Sequence, residues 1–314
     1  MSAPVRTPDS MIRRLNLEIL CALNQPGVKY SMHGVGMIRA HRAAALLSAG
    51  LILGTGAVCG QTTSSSAGQA YPDKPIRVIT SGSGSGVDIA ARITAQALAA
   101  GFSQQVVVEN RPSGVIPGQT VARAAPDGYT VLFYGSTVWI MTLLQNDVPY
   151  DPVRDFASIT KVASSPNVVV VHPSLPVRSI KELIALAKAR PGLLNDASVG
   201  TGSSTHLAAE LFKSMAGVDI VRVPYKNGAT QMADLVGGHV QPAFATAATV
   251  AAYTKSGRLR ALAVTSAKPS VLVPGLPTVA DSGLPGYESS ALYVMFAPVK
   301  TAPAIIDRLN QETV

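Results

Sequence analysis

From Tyr71 onward, short β-branched runs alternate with segments of helical period, and Gly, Pro, Asn and Asp punctuate the boundaries. This alternation constrains the fold more than any other feature of the chain. IRVIT (76–80), QVVVEN (105–110), YTVLFY (129–134), NVVVVH (167–172), DIVRVPY (219–225), VQPAFAT (240–246), LRALAVTS (259–266) and SALYVMFAP (290–298) read as strands. Between the first two, Asp88 is expected to cap a helix running to about Ala100, with Ile89, Ile93 and Ala97 on one face and Gly101 as its stop. A short helix is expected near 118–125, and PDG (126–128) has turn chemistry. Ser179 and Glu182 form a capping box for a helix to about Arg190, closed by Pro191-Gly192. Another helix runs from about Ser204 to Ala216, with Leu207, Leu211 and Met215 at helical spacing and Gly217 as its stop. Helices are also expected at about 229–236 and from Pro303 onward. Such alternation implies an α/β fold with mostly parallel sheets and right-handed crossovers. The unbroken apolar run NVVVVH fits a strand covered on both faces.

Composition excludes several classes. With 47% hydrophobic and 14% charged residues, the chain is too apolar and too weakly charged to be disordered. The net charge of +8 divides evenly: residues 1–70 hold six Lys/Arg against Asp9 and Glu18, and the rest of the excess is spread without blocks. A diffuse excess suits an anion binder better than a nucleic-acid binder, which needs a basic stripe.

The first 70 residues read as targeting rather than fold. Residues 43–58 are apolar and uncharged, MIRAHR (37–42) supplies two arginines before them, and small and polar residues follow. That is the order of a secretory signal, and the apolar run is short of the roughly 20 residues a membrane span needs. We assign 37–59 as the signal peptide, 60–70 as a linker and 1–36 as an extension upstream of the true start. Cleavage after Cys59, which fits the distance from the apolar run better than the alternative after Ala70, also removes Cys21. The remaining chain then has no cysteine, which excludes disulfides, thiolate metal sites and cysteine nucleophiles there.

Two loops carry the chemistry. SGSGSG (81–86) and GTGSST (200–205) each precede a helix. Glycines let backbone N–H groups turn toward one point, and the helix dipole favours an anion there. Ser and Thr add neutral donors. A single such loop reads as an ordinary Gly/Ser turn; two in equivalent positions, beyond the carboxyl ends of strands, read equally as a clamp for a carboxylate and as flexible turns before helices.

Enzyme patterns are incomplete. Val87 breaks the dinucleotide-binding glycine pattern, no phosphate-loop lysine follows, and GxSxG is missing. Ser158 and Lys161 match SxxK without its companion motifs. His172, His206 and His239 are scattered; His206, in the first turn of the helix after the second loop, reads equally as a cleft-lining residue and as a satisfied first-turn residue. Trp139 reads as core. No catalytic residue, metal ligand or cofactor is assigned.

The segments YPDKPIRVIT, VVVENRPSG, APDGYTVL, PYDPVRDF, VVVVHPSLPVRSIKELIALAKARPG, GTGSSTHLAAELFKSMAGVDIVRVPYK, GRLRALAVTSAKPS and LPTVADSGLPGYES occur in order over 71–314. Together they resemble the Bug family of periplasmic receptors for tripartite tricarboxylate transporters. The resemblance implies a two-lobed periplasmic-binding-protein (Venus flytrap) α/β fold, type II-like, with two hinge-crossing strands near 167–172 and 291–297. Lobe 1 would be 71–170 plus 291–314, and lobe 2 would be 171–290. It implies capture of a small organic acid for membrane permease subunits by a monomer in the periplasm, with sensing for a signalling partner as the alternative, and an enzyme on the same fold as a weaker one. The first clamp maps onto Ser81, Gly82, Ser83, Gly84, Ser85, Gly86 and Asp88, the inner strand end onto Ser136 and Thr137, and the second clamp onto Gly200, Thr201, Gly202, Ser203, Ser204 and His206. Two departures matter. The first loop is SGSGSGVD, where many relatives carry a Phe-Pro-Pro-Gly-Gly type loop. FATA (244–247) lacks the aspartate that holds a ligand amine in some members, which argues against an amino acid. The chain also stops a few dozen residues short of the family's pattern, which would expose apolar surface on lobe 1.

Overall fold

The computed structural model describes residues 71–314; the segments 1–36, 37–59 and 60–70 lie outside the described residues. In chain order the elements are β1 (Ile76–Thr80), α1 (Gly86–Phe102), β2 (Val106–Asn110), α2 (Ile116–Ala122), β3 (Thr130–Tyr134), α3 (Thr137–Leu144), β4 (Phe156–Val171) and α4 (Ile180–Ala189). There follow β5 (Asn195–Val199), α5 (Ser204–Ala216), β6 (Val221–Tyr225), α6 (Gly228–Val236), β7 (Pro242–Thr246), α7 (Ala247–Lys255), β8 (Arg260–Val264), β9 (Ser290–Pro298) and α8 (Pro303–Thr313).

The strands form two sheet segments joined through β4. In the first, β2, β1 and β3 are parallel neighbours, and β9 runs antiparallel to β3. β9 also pairs antiparallel with Phe156–Pro166 of β4. Beyond Pro166 the same strand enters the second segment, where Val168–Val171 lie between β7 and β8, both antiparallel to them. β7, β5 and β6 continue that segment in parallel. The sheets are therefore mixed rather than mostly parallel, because β9 and β4 run against the parallel strands of their own segments. The crossing of β4 falls next to Pro166, at the start of NVVVV and not along it.

Both faces of each segment are covered. Along β4, Val169 and Val171 join a core with Ile180 and Leu183 of α4 and Ala208, Ala209 and Phe212 of α5. Val168 and Val170 face the other way, onto Met232 and Leu235 of α6 and Val250 of α7. In the first segment, Ile76 and Val78 pack with Ala91 and Leu98 of α1 and Leu309 of α8. Ile79 and Leu132 pack on the opposite face with Val121 of α2 and Val138 of α3. Trp139 adds its edge to Phe296 at a centroid distance of 5.5 Å, a core role.

Two helix faces differ from the expectation. In α1 the buried side is Ala91, Ala95, Leu98 and Phe102, while Ile93 is 64% exposed. The spacing of Ile89, Ile93 and Ala97 was helical, but small residues face the sheet because α1 lies close to it. In α5 the buried stripe is Ala208, Ala209, Phe212 and Ala216; Met215 is exposed. Asp88 does not cap α1. Ser85 does, with its Oγ accepting from the Asp88 N–H, and the helix passes through Gly101 to end at Ser103 with φ 51°.

Candidate functional site

Between the two sheet segments lies a cleft lined by residues of both. Four helices of eight or more residues begin at its wall: α1 at Ser85-Gly86, α3 at Ser136-Thr137, α5 at Ser203-Ser204 and α7 at Thr246. The first-turn N–H groups of a helix lack intrahelical partners, and the dipole leaves about half a positive charge at that end. Among the described residues, none that lines the cleft is Lys, Arg, His, Asp or Glu. The wall is instead hydroxyl-rich, with Ser81, Ser113, Thr201, Thr205 and Thr249 beside those named, and Tyr134, Gln231 and Tyr293 among them.

The first loop is built by a small network. Ser81 Oγ and Ser85 Oγ are 2.8 Å apart. Asp88, 4% exposed, accepts from the Gly84 N–H at 2.9 Å and from Asn110 Nδ2 at 2.7 Å, and pairs with Arg92 Nε at 3.1 Å. Asn110 Nδ2 also donates to the Ser81 carbonyl at 2.6 Å. Asp88 is thus a loop anchor behind the wall. Gly82 and Gly84 touch the opposite half: a Cβ on Gly82 would stand 2.7 Å from the Lys226 carbonyl oxygen, and one on Gly84 would stand 3.0 Å from the Ala229 nitrogen. Ser83 is exposed, and its carbonyl accepts from the Gly228 N–H at 3.1 Å.

The second loop needs left-handed backbone at Gly200 (φ 61°) and Gly202 (φ 77°), which glycine adopts without strain. Ser203 Oγ caps α5 by accepting from the His206 N–H, and it donates to the Val199 carbonyl at 2.5 Å. His206 turns away from the cleft. Its Nδ1 accepts from the Gly202 N–H at 3.2 Å, which places the ring proton of the neutral form on Nε2. Burial, and then the nearby Arg222, hold its pKa below the usual histidine range. Gly202 is tight against Met141 and Ile140 of α3.

Of the residues singled out from sequence, Ser81, Ser85, Gly86, Ser136, Thr137, Gly200, Thr201, Ser203 and Ser204 line the cleft. Gly82, Ser83, Gly84, Asp88, Gly202 and His206 do not; they shape the two loops from behind or join the halves. Ser113, Gln231, Thr246 and Thr249 were not foreseen. Thr246 carried a readable signal, as a hydroxyl at the carboxyl end of a strand entering a helix.

Ionisation in the cleft is suppressed. Burial pushes the Tyr134 phenol up to about 12, against the pull of its hydrogen bonds to Gly114 and Thr137. Tyr293 is likewise raised by burial, while its bonds to Thr246 and Ser165 act the other way. No serine of the wall meets a base: the imidazole nearest Ser203 faces Gly202. The arrangement can hold an anion through neutral donors, and it lacks the nucleophile–base pair that acyl or phosphoryl transfer requires.

Two α/β halves joined by crossing strands around a hydroxyl-lined cleft define the class of periplasmic-type solute-binding receptors, which are not enzymes. The family model described as the tripartite tricarboxylate transporter family receptor (TctC) matches residues 90–314. BugT of Bordetella pertussis is 37% identical over 246 residues, covering 77% of this chain and 76% of its own. Among solved structures, the R. palustris protein Rpa4515 with adipate matches with a TM-score of 0.75 and 35% identity, covering 77% of this chain and 83% of that one. The periplasmic binding protein BugD matches with a TM-score of 0.74 and 30% identity, over 77% and 82%. The chain belongs to the TctC (Bug) family of tripartite tricarboxylate transporter receptors.

Proposed function

We propose that this protein captures a small organic acid through its carboxylate and delivers it to the membrane subunits of a tripartite tricarboxylate-type transporter. One observation carries the reading: four helix N-termini open onto one hydroxyl-lined cleft that has no charged side chain in its wall. Carboxylate held this way is fixed by dipoles and hydrogen bonds that need no counter-ion. The relative Rpa4515, solved with adipate, supports a dicarboxylate as the first ligand to try.

The lobes of this receptor are 71–166 with 291–314, and 167–290, the boundary expected at 170 moving to Pro166 where β4 changes segment, with the hinge at β4 and β9. The contacts of Ser83 with Gly228 and of Gly202 with Met141 belong to its closed form. Closure presents a surface that exists only with ligand in place, and the permease reads that surface. Residues 37–59 direct the chain to the periplasm. Wall residues Ser81, Ser136, Thr137, Thr201 and Ser204 contact the ligand, and Ser203 holds the loop that presents them.

Thermal-shift screening with adipate, succinate, citrate, benzoate and nicotinate tests the proposal. A ligand at about 100 times its Kd adds roughly 2.7 kcal/mol to stability and raises Tm by several degrees. No shift with any of these acids would sink the carboxylate reading.

A further inference from the structure

Beneath the Gly200–His206 loop lies a set of charged and polar groups that neither the cleft wall nor the apolar core accounts for. Asp196 on β5 and Arg222 on β6 are register partners in a parallel pair, so their side chains leave the sheet together on one face. That face is covered by α5, which turns His206, Glu210 and Lys213 toward them. Glu210 lies 2.6 Å from Lys213 Nζ and 3.8 Å from His206 Nε2. Tyr287 approaches from the segment before β9, with its hydroxyl donating to the Ala208 carbonyl.

Asp196 is 2% exposed, and both of its carboxylate oxygens lack a hydrogen-bond partner. Ser198 Oγ, two residues on along the same face of β5, and Arg222 Nε are also buried and unpartnered. Burying an ionised carboxylate without hydrogen bonds costs far more than burying the neutral acid. Burial accordingly lifts the Asp196 pKa to about 7; Lys213 and Arg222 pull it down and Glu210 adds to the rise. At its other end Arg222 reaches the cleft: Nη2 donates to Thr201 Oγ1 at 3.2 Å, and Thr201 is part of the wall. A hydroxyl that accepts from a guanidinium keeps its own proton free to donate, and the charge behind it makes that proton a better donor.

We infer that Arg222 and Asp196 are positioning residues of the cleft: Arg222 orients and polarises the Thr201 hydroxyl toward an anionic ligand, and the ionisation of Asp196 sets how much of the guanidinium charge that ligand feels. The inference rests on the carboxylate reading of the cleft. With Asp196 neutral, the Arg222 charge is uncompensated and anion capture is strongest. With Asp196 ionised, the two charges offset each other and capture weakens. Linkage gives the converse, so bound anion raises the affinity of Asp196 for its proton. Burial, and then Arg222, lower the His206 pKa, away from the raised value of Asp196, and burial of Tyr287 keeps its phenol protonated throughout.

The test is calorimetric titration with adipate, succinate, citrate and benzoate between about pH 5.5 and pH 8.5, on the wild type, Asp196→Asn, Arg222→Met and His206→Gln. Wild-type affinity should fall about fivefold from pH 6 to pH 8, in keeping with two charges roughly 10 Å apart across partly polar protein. Asp196→Asn should bind at the wild-type low-pH affinity with a flat profile. Arg222→Met should bind about tenfold more weakly, since it loses a charge-assisted donor. His206→Gln should keep the wild-type slope. A second measurement is independent of how the variants fold: the Asp196 side-chain carboxyl carbon of the wild type, followed by NMR, should titrate near neutrality and shift upward with ligand. A flat wild-type profile, a slope that survives in Asp196→Asn but vanishes in His206→Gln, or a carboxyl titrating in the ordinary acid range overturns the inference and leaves the carboxylate reading standing. No binding of any probe at any pH overturns both.

Discussion

Gly228→Ala separates closure from folding. Gly228 begins α6 just after its cap Asn227, and its φ lies outside the left-handed region, so alanine fits the local backbone. Alanine is also the better helix former by about 1 kcal/mol in a helix interior, and somewhat less at a first position. The obstacle lies across the cleft: a Cβ at 228 would stand 2.4 Å from the Gly84 carbonyl oxygen, 2.7 Å from its carbon and 2.9 Å from the Ser85 nitrogen. All three are backbone atoms of the other half, and no rotamer change relieves them. The halves must part by about 1 Å to restore van der Waals contact, which also breaks the 3.1 Å bond from the Gly228 N–H to the Ser83 carbonyl. Overpacking costs about 1–3 kcal/mol and the lost bond about 1 kcal/mol, together about 2–4 kcal/mol charged to the closed form alone. Ligand affinity should therefore fall by about 30- to 1,000-fold, since a fraction of competent protein scales the apparent Kd directly. Without ligand, the urea midpoint should stay at or slightly above the wild-type value. The assays are calorimetry with a ligand found by thermal shift, and small-angle scattering of the ligand-saturated protein, whose radius of gyration should stay larger than wild type. Wild-type affinity in Gly228→Ala would refute the assignment of these contacts to a closed, ligand-holding state.

Two further substitutions test the loop and the buried acid. Ser203→Ala removes the cap of α5 and the bond to the Val199 carbonyl; it should cost about 1–2 kcal/mol in urea unfolding and weaken ligand binding, and unchanged stability would show that the cap carries nothing. Asp196→Asn should change how stability depends on pH: the folded state holds its proton up to about pH 7, while the unfolded carboxyl releases it near the ordinary aspartate value of about 3.8. Wild-type stability should therefore decline as pH rises from about 4 to 7 and then level off, by an amount on the order of a few kcal/mol. The variant should lack that decline in urea titrations at pH 5 and pH 8, and parallel wild-type and variant curves would count against the buried-acid account.

Much of the fold was readable because most strands are β-branched runs bounded by Gly, Pro or Asp. The elements that escaped notice lack that contrast. β5, NDASV, has a single β-branched residue and puts the polar Asp196 and Ser198 on a buried face, which inverts the usual pattern. α3, TVWIMTLL, is apolar all round, so its period is invisible. α7, AATVAAYTK, is small-residue helix with little amphipathic signal. The first half of β4 mixes polar and apolar residues and shifts register twice, at Ser158/Thr160 and Lys161/Ala163. At the cleft, the Gly/Ser loops were legible from their place before helices. Asp88 and His206 belong to those loops but face away from the cleft, and sequence cannot say which side of a first helical turn faces it. Ser113, Gln231 and Thr246 come from three other parts of the chain, and only the tertiary fold gathers them.

The two strands that carry the chain between the halves also decide the order in which it can fold. Every strand of the second sheet segment lies within one stretch, from the end of β4 through β8. The first segment cannot be completed so locally: Leu132 of β3 has its partner in Phe296, and Phe156 of β4 has its partner in Pro298. Closing those long loops costs entropy before any pairing rewards it. Assembly is thus drawn to start in the middle of the chain and work outward. The strands β1 to β3 wait on β9 to finish their sheet.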